Sequence, residues 1–561
     1  MKTHFFWGRL LSIPLAVLLA CALSSPASHA EDEPGTIEDR LEKLEKQNAA
    51  LRKLLESPLG AKPGNAAEEL KKTSSGTSAT EILALPAQNA PAQTVDKAAT
   101  AAASKASTIF KFHYKNGFWA ETEDKNFTLH IMPYVQFDNG WYSVGDNINT
   151  TMDTRLNDGS DLRRMRPRFE GKVFQQFSYQ FEFDVSGGTD FRNLQVDPQA
   201  PLFITDAWMA MDDIPLVGTV RIGHQKEYLS FNNGTSSRFQ TFMERPLIFD
   251  AIEDPFQFDN GVTAFNSFFE KRLHVYSGFF RTGTRTGAFG IGDGRYAFDE
   301  RLVWFPLLDP ENQRWFLLGA AGSVRALPYS NFATSANTST LLPTIRFFNR
   351  PTIRAGGGFQ IPRIISTPQL FSSDVETIMI FGAQGAFGRF TFGGEYAAAY
   401  LGETFLNTMP GYVPPTSSGG RAAQSIGNMS ADGFYVQALY FLTCGDHHEV
   451  NTQIPGWSRV NPTRPFMFRR SSDGEITKGP GAWEVGVRYD IMNYGNPLFQ
   501  QAFIPVAQSG GRYQVVNFAL NWYLNPNMKI MADYTYNLRG TGQEGGNGTF
   551  SAFGMRTQMD F

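Results

Sequence analysis

Three arginines alternate along one short stretch of the chain: Arg164, Arg166 and Arg168. Alternate side chains of an extended strand point to the same face, so these guanidinium groups lie in a row. A guanidinium is permanently charged and presents a planar fork of N–H donors that matches phosphate or carboxylate oxygens. We therefore predict that this row, with the adjacent Arg163, lines a path for anions. The alternative is that these arginines lie at a rim or an interface and pair with Glu and Asp.

The strand that carries this row must turn its charged face to water. Glu170 and Lys172 continue the same face, and a Lys or Arg facing lipid at the bilayer midplane costs about 2–4 kcal/mol. The same alternation of polar and apolar residues recurs from about residue 127 onward and is clearest over 177–185. Similar stripes occupy residues 483–491, 516–524, 528–536 and 553–561. The last stripe ends in Phe561 and resembles the C-terminal strand signature of bacterial outer-membrane proteins.

Composition narrows the class of protein. The chain has 561 residues, of which 14% are aromatic and only 19% are charged. After the N-terminus no run of 18 or more apolar residues occurs, which excludes a helical membrane protein. The aromatic content excludes a disordered chain, and a net charge of -4 does not suggest nucleic-acid binding. With the alternating strands, these features predict an all-β protein that forms a transmembrane β-barrel.

The length of the strand-rich segment bounds the size of this barrel. At roughly 10 residues per strand plus connections, residues 111–561 allow about 14 to 18 strands, and we predict about 16 antiparallel ones. A barrel of that size leaves an aqueous channel. Short turns such as Asn525-Pro526-Asn527 alternate with long polar stretches at 405–432 and 445–480. We expect the short turns at one end of the barrel and these long stretches at the other.

The N-terminal segment indicates export. In residues 1–30, Lys2 and Arg9 flank the start of an apolar run from Leu10 to Leu23, and the segment ends with Ser28-His29-Ala30, the pattern of a signal peptide cleaved after Ala30. The competing interpretation is a lipoprotein box ending at Cys21. Cleavage after Ala30 leaves Cys444 as the remaining cysteine, which excludes an intrachain disulfide. We interpret Cys444 as a chance residue at a strand end; the alternative is a catalytic nucleophile beside His447 and His448.

A short helix and a linker are predicted before the barrel. Within residues 31–56 a heptad seam predicts a short periplasmic coiled coil, with Ile37, Leu41, Leu44, Asn48, Leu51 and Leu55 in the seam. This helix would trimerise or dock the protein; the alternative is a lone amphipathic helix lying on another surface. Residues 57–110 are rich in Ala, Ser, Thr, Pro and Lys and predict a flexible linker, so the barrel domain comprises 111–561.

Several motifs together carry a family resemblance. They lie at residues 161–171, 204–208, 221–226, 236–245 and 481–489. In order and spacing they resemble the phosphate-selective porin O/P family. The resemblance implies a homotrimer of 16-stranded barrels whose third loop, here Ser236 to Arg245, folds into the lumen. It also implies that Arg238, Arg245 and Lys226 extend the anion path and that Asp206 keeps anion binding weak enough for release.

The sequence departs from the phosphate-selective pattern in two places. Those family members carry a constriction lysine shortly before the Ser-Ser pair, where this chain has Asn232-Asn233-Gly234. A second row of alternating arginines is also missing from the sequence. A pore with a general or weak preference for anions such as phosphate is therefore expected.

The predicted function is an outer-membrane porin for passive diffusion of small solutes. No cofactor is expected, and we predict no enzymatic activity because the sequence has no nucleophile elbow or P-loop. Asp446-His447-His448-Glu449 lacks zinc-site spacing, so no metal is predicted. Expected partners are outer-membrane lipid, small anions and, through the coiled coil, a periplasmic or cell-wall component. The alternatives are a structural protein that tethers the envelope and an outer-membrane enzyme.

Overall fold

A computed structural model describes residues 110–186, 203–283, 295–327, 329–335, 338–355, 361–372, 375–406, 425–466, 469–470, 476–477, 479–500 and 504–561. The predicted signal peptide and coiled coil, and the linker up to residue 109, lie outside these residues. The described chain is all-β apart from short helical turns, and 23 of its strands belong to one sheet. No helix in the described ranges is long and apolar enough to cross a membrane.

Strands β1 to β13 span Phe110–Tyr114, Phe118–Thr122, Phe127–Ile131, Tyr134–Val144, Gly159–Arg166, Arg168–Val173, Phe177–Asp184, Phe203–Ile214, Gly218–Lys226, Phe258–Phe268, Leu273–Arg281, Tyr296–Asp309 and Arg314–Ala326. Strands β14 to β27 span Tyr329–Ser335, Thr338–Ile345, Phe348–Asn349, Ile365–Ser366, Leu370–Ser372, Val375–Phe387, Phe390–Leu406, Ser425–Phe441, Arg469–Arg470, Ile476–Thr477, Ala482–Tyr494, Gly511–Asn525, Met528–Thr541 and Gly548–Asp560. Helices α1 and α2 span Asp146–Asn149 and Phe231–Gly234; single 3-10 or π turns span Ser237–Phe239, Phe249–Glu253, Asp254–Phe256, Pro310–Asn312, Pro497–Gln500 and Val506–Gln508.

Long strands pair antiparallel with their neighbours in the sequence. The series runs from β4 and β5 around to β27, and β27 pairs with β4 from Phe550↔Val144 to Asp560↔Tyr134. The hydrogen-bond ladder therefore returns to the strand where it began. Pro133 and Pro167 interrupt the two strands at the start of the series, because proline lacks the N–H that the ladder needs. Consequently β4 pairs with β5, and β3 pairs separately with β6.

Burial is inverted relative to a water-soluble protein. In β27, Arg556 and Gln558 are buried whereas Phe553, Met555 and Met559 are exposed. The same contrast holds on the other long strands, so the polar face points inward and the apolar face outward. The predicted period-two stripes are confirmed as strands β7, β24, β25, β26 and β27.

The connections differ between the two ends of the strands. Short turns at residues 174–176, 215–217, 269–272, 310–313, 388–389 and 526–527 share one end, called here the turn end. The opposite end, called here the loop end, is where β20 ends at Leu406 and β21 begins at Ser425. The prediction that 445–480 lies opposite the short turns is wrong, because this segment joins β21 to β24 at the turn end. Polarity identified a connection, but only the direction of each strand fixes the end at which it lies.

Candidate functional site

One long connection crosses the interior of the sheet. Residues 227–257, the inner loop, leave β9 and return at β10. The loop is fastened to the inward side chains of distant strands: Lys529 Nζ donates to the Gln240 carbonyl at 2.7 Å, and Asn521 Nδ2 to the Thr241 carbonyl at 2.8 Å. Ser236 to Arg245 therefore lie inside, where the family resemblance places them.

Two further segments reach the inner loop from opposite ends. From the loop end, Arg350 Nε donates to Asp250 at 3.0 Å. From the turn end, residues 442–466, the turn-end segment, bring the Trp457 N–H to 2.9 Å from Thr235 Oγ1. The Trp457 ring packs edge-on against Phe231 with centroids 4.8 Å apart. The interior is thus narrowed by three segments, and the inner loop contacts the other two.

The arginine row faces the interior, including one member that strict alternation would place outside. The pairing register shifts between Gln136↔Arg164 and Phe137↔Leu162, so Arg163 is the extra residue of a β-bulge. Arg163 and Arg164 are consequently both buried on the inner side.

Carboxylates hold most of this row. Arg166 Nε lies 2.8 Å from Asp184 Oδ2, and Arg168 Nη2 lies 2.5 Å from Glu170 Oε2. Arg163 Nε lies 2.7 Å from Glu244 Oε1. These three arginines thus form the ion pairs with Glu and Asp that were the alternative to an anion path. The pairs lie on the interior face and not at a rim. Their role in conduction stays a prediction.

Glu244 of the inner loop is the centre of a guanidinium cluster. Besides Arg163, its carboxylate lies 3.2 Å from Arg556, 3.7 Å from Arg354 and 3.9 Å from Arg164. Burial by itself raises the pKa of the Glu244 carboxyl, but these four guanidinium groups outweigh burial and hold that pKa well below its usual range. Glu244 is therefore ionised, and it offsets part of the positive charge around it.

Arg221 is held by aromatic rings. Its guanidinium lies 3.8 Å from the Trp208 ring centroid and 5.1 Å from that of Phe265. Among the described residues, the one polar contact of its side chain is 3.5 Å to Tyr228 Oη, and its buried Nε has no hydrogen-bond partner there. A guanidinium that stacks through its face keeps its edge N–H groups available for an in-plane acceptor.

Arg238 and Arg245 of the inner loop also stack on aromatic rings. Arg238 lies over Tyr134 at 5.4 Å and Phe239 at 5.6 Å, and Arg245 lies over Phe249 at 4.7 Å. Arg245 also donates to two backbone carbonyls of the loop. Burial lowers the pKa of Arg245 to about 10, so it remains protonated at neutral pH. We call Arg221, Arg238 and Arg245 the stacked arginines; within the described ranges none lies within 4 Å of a carboxylate.

Lys226 and Asp206 are the remaining predicted site residues. Lys226 Nζ donates to the Asn233 carbonyl at 3.4 Å and lies 5.8 Å from the Phe258 ring. The Asp206 carboxylate accepts from Trp208 Nε1 at 3.2 Å. In the described part of the chain, neither forms an ion pair within 4 Å.

The family follows from the strand-rich segment as a whole. The family model for the phosphate-selective porins O and P matches residues 137–561. The chain belongs to this porin family. It is accordingly a bacterial outer-membrane channel for small solutes, rather than an enzyme.

The chain is also similar to several solved outer-membrane proteins. No curated protein matches it. Among solved structures, Salmonella typhi OmpF is 13% identical over 80% of this chain and 100% of its own, with a TM-score of 0.43. The DcaP channel of Acinetobacter baumannii is 10% identical over 79% and 99%, with a TM-score of 0.42. An anion-selective porin from Comamonas acidovorans is 10% identical over 78% and 100%, with a TM-score of 0.39.

Two cavities inside the porin bring the predicted site residues together. The larger, of about 1250 Å³, is lined by Arg166, Arg168, Asp206, Lys226, Arg238 and also Arg221. The smaller, of about 390 Å³, is lined by Arg163, Arg164, Arg166, Arg245 and also Arg354. Arg166 and Ser237 line both cavities, so the two adjoin there.

Sequence reasoning did not select Arg221, Glu244 or Arg354 as site residues. Arg221 and Glu244 lie within motifs that carried the family resemblance, and that was the available signal. Arg354 follows no strand periodicity, so its place beside Glu244 depends on the fold alone.

Proposed function

We propose that this porin is a closed barrel of 16 spanning strands whose interior prefers anions. The pairing of β27 with β4 supports closure. The count follows when β3–β4 and β5–β6 are each taken as one strand interrupted at proline, together with β7–β13, β19–β21 and β24–β27. The turn end then faces the periplasm, as short turns do in bacterial barrels. The predicted homotrimer and the coiled-coil partner belong to this proposal.

One observation carries the anion preference: the stacked arginines line the cavities, and no carboxylate of the described residues lies within 4 Å of them. Aromatic rings hold the guanidinium faces, so a passing anion accepts hydrogen bonds from the edge N–H groups that the loop carbonyls do not occupy, without having to displace an acidic side chain. Lys226 adds a further N–H donor to the larger cavity. A narrow channel between low-dielectric walls strengthens the field of each of these charges.

The paired arginines have a different role in this proposal. Arg166 and Arg168 are compensated by acidic neighbours, so they add hydrogen-bond donors but little net charge. Asp206 places a negative charge in the same cavity. Conduction requires sites that bind an anion moderately and release it again, and this mixture of free and compensated charge favours release. The proposed solutes are small anions such as phosphate, and the family description supports that choice.

Ion selectivity in a planar bilayer tests this proposal. Purified protein under a salt gradient should give a reversal potential of the sign set by anions. The test variant neutralises the stacked arginines together: Arg221→Gln, Arg238→Gln and Arg245→Gln. The control removes the same charge from exposed positions: Arg155→Gln, Arg314→Gln and Arg464→Gln.

We expect the test variant to lose most of its anion preference and the control to keep it. A cation-selective wild type contradicts the proposal outright. Equal changes in the two triple variants would mean that overall charge, and not the stacked arginines, sets the selectivity.

A further inference from the structure

Three consecutive turns at the turn end expose bulky apolar side chains at their tips. Phe174 is 63% exposed, Leu216 is 88% exposed and Phe269 is 76% exposed. These turns join β6 to β7, β8 to β9 and β10 to β11, so they are neighbours along the sheet.

The backbone conformation at these three tips is one that bulky apolar residues seldom adopt. Phe174, Leu216 and Phe269 have φ values of 51°, 66° and 53°, in the left-handed region. Glycine and asparagine adopt that conformation most easily, and a bulky side chain there is disfavoured. The turn geometry does not require an apolar residue at these positions, and Leu216 and Phe269 remain largely exposed in the fold. Contact with something outside the chain gives these residue types a physical reason.

The β1–β2 hairpin extends this apolar surface. The register aligns Tyr114 with Phe118, and Phe118 with Ile131 of β3, so the outward face of the barrel continues onto the hairpin. Phe112, on this face, is 79% exposed. The hairpin surface is joined to the first turn because the Phe127 and Phe174 rings meet edge-on at 5.1 Å.

The opposite half of the same end has polar tips. The turn after β12 contains Glu311 and Asn312, the turn after β19 contains Arg389, and the turn after β25 contains Asn527. Among the described residues, the apolar ones with a positive φ are Phe174, Leu216 and Phe269, so this combination lies on one side of the turn end.

We propose that this apolar rim, formed by the outward aromatic residues of β1–β2 with Phe174, Leu216 and Phe269, is immersed in the phospholipid of the inner leaflet. The half of the barrel from β1 to β11 then sits deeper in the membrane than the half from β12 to β27. Continuity argues for lipid as the occupant, because the β1–β2 hairpin and Phe174 directly prolong the outward apolar faces of β3, β6 and β7. This inference rests on the membrane barrel in the proposed function and not on its anion preference.

Fluorescent labelling with lipid quenchers tests the immersion. In a Cys444→Ser background of the full chain, single cysteines carry an environment-sensitive dye at rim positions: Phe174→Cys, Leu216→Cys and Phe269→Cys. Matched controls carry it at the polar turns: Asn312→Cys, Arg389→Cys and Asn527→Cys. The proteins are reconstituted in vesicles of phosphatidylethanolamine and phosphatidylglycerol, with or without phospholipids brominated on their acyl chains.

We expect at least threefold stronger quenching at the rim positions than at the controls, with blue-shifted emission. Equal quenching at both sets would overturn the one-sided immersion. Blue-shifted dyes that brominated lipid does not quench would also overturn it, because another protein surface, such as a second copy of this chain, would then cover the rim. Reversal potentials of the same proteins report separately on the anion proposal.

Discussion

Replacing Glu244 with glutamine removes a negative charge from the guanidinium cluster inside the porin. One carboxylate there faces Arg163, Arg164, Arg354 and Arg556 at 2.7 to 3.9 Å. Glutamine keeps the shape of the side chain but removes its negative charge. The cluster then gains one unit of net positive charge next to the smaller cavity, and anion preference should increase.

The size of this increase follows from the geometry. An anion that accepts a hydrogen bond of about 3 Å from Arg164 lies up to about 7 Å from the Glu244 carboxylate, since Arg164 and Glu244 are 3.9 Å apart. Removing the repulsion at that distance is worth between about 0.6 kcal/mol in water and about 2.4 kcal/mol at an effective dielectric constant near 20. Anion occupancy should therefore rise by about 3- to 60-fold.

The assay combines reversal potentials under a salt gradient with the concentration at which phosphate reduces chloride current. Glu244→Asp retains the charge, and Asp309→Asn removes a charge at a short turn, where Asp309 pairs with Arg314 at 2.6 Å; neither should increase the preference. Breaking buried ion pairs costs stability, about 3–5 kcal/mol for one pair. Heat-modified gel migration therefore checks that each variant is folded. A folded Glu244→Gln variant with unchanged or reduced anion preference would refute the reasoning.

Three further predictions concern stability and channel width. Burial raises the pKa of Glu253 from 4.5 to about 7, so ionisation of this carboxyl costs stability progressively from pH 4.5 to 7. Glu253→Gln should therefore raise the free energy of unfolding by about 3 kcal/mol above pH 7 and leave it unchanged below pH 4. Urea unfolding without this pH dependence would contradict the prediction. Gly171→Ala should weaken the β3–β6 pairing, because the added Cβ would lie 1.9 Å from the Thr128 carbonyl oxygen. Gly495→Ala is the control, since a Cβ there meets nothing within 4 Å. Equal melting temperatures of the two variants would disprove the prediction. Trp457→Ala should loosen the turn-end segment and lower the free energy of unfolding by about 3–5 kcal/mol, because the Trp457 ring is buried against Phe231. Single-channel conductance should then increase. An unchanged conductance would show that this segment does not narrow the path.

Local sequence patterns correctly predicted long strands and which of their faces point inward. The stripe at 553–561 identified β27 and its exposed face, because side-chain direction in a strand alternates with every residue and needs no partner to be recognised. The same logic placed Arg164, Arg166 and Arg168 on the inner face.

Local patterns were less informative wherever a bulge or a connection mattered. The bulge that turns Arg163 inward is visible only in the pairing of β4 with β5. The end at which residues 445–480 lie depends on the direction of every preceding strand, which periodicity in one segment does not contain.

By itself, the sequence determined the strand-rich class, the alternation that marks an inner and an outer face, and the motifs of the porin family. Tertiary structure alone decided which cations are compensated. Arg163 meets Glu244 across 81 positions, and Arg556 meets Asp138 across 418. The physical reason is that charge compensation acts through space over a few ångströms, while sequence patterns report only on residues that are close along the chain.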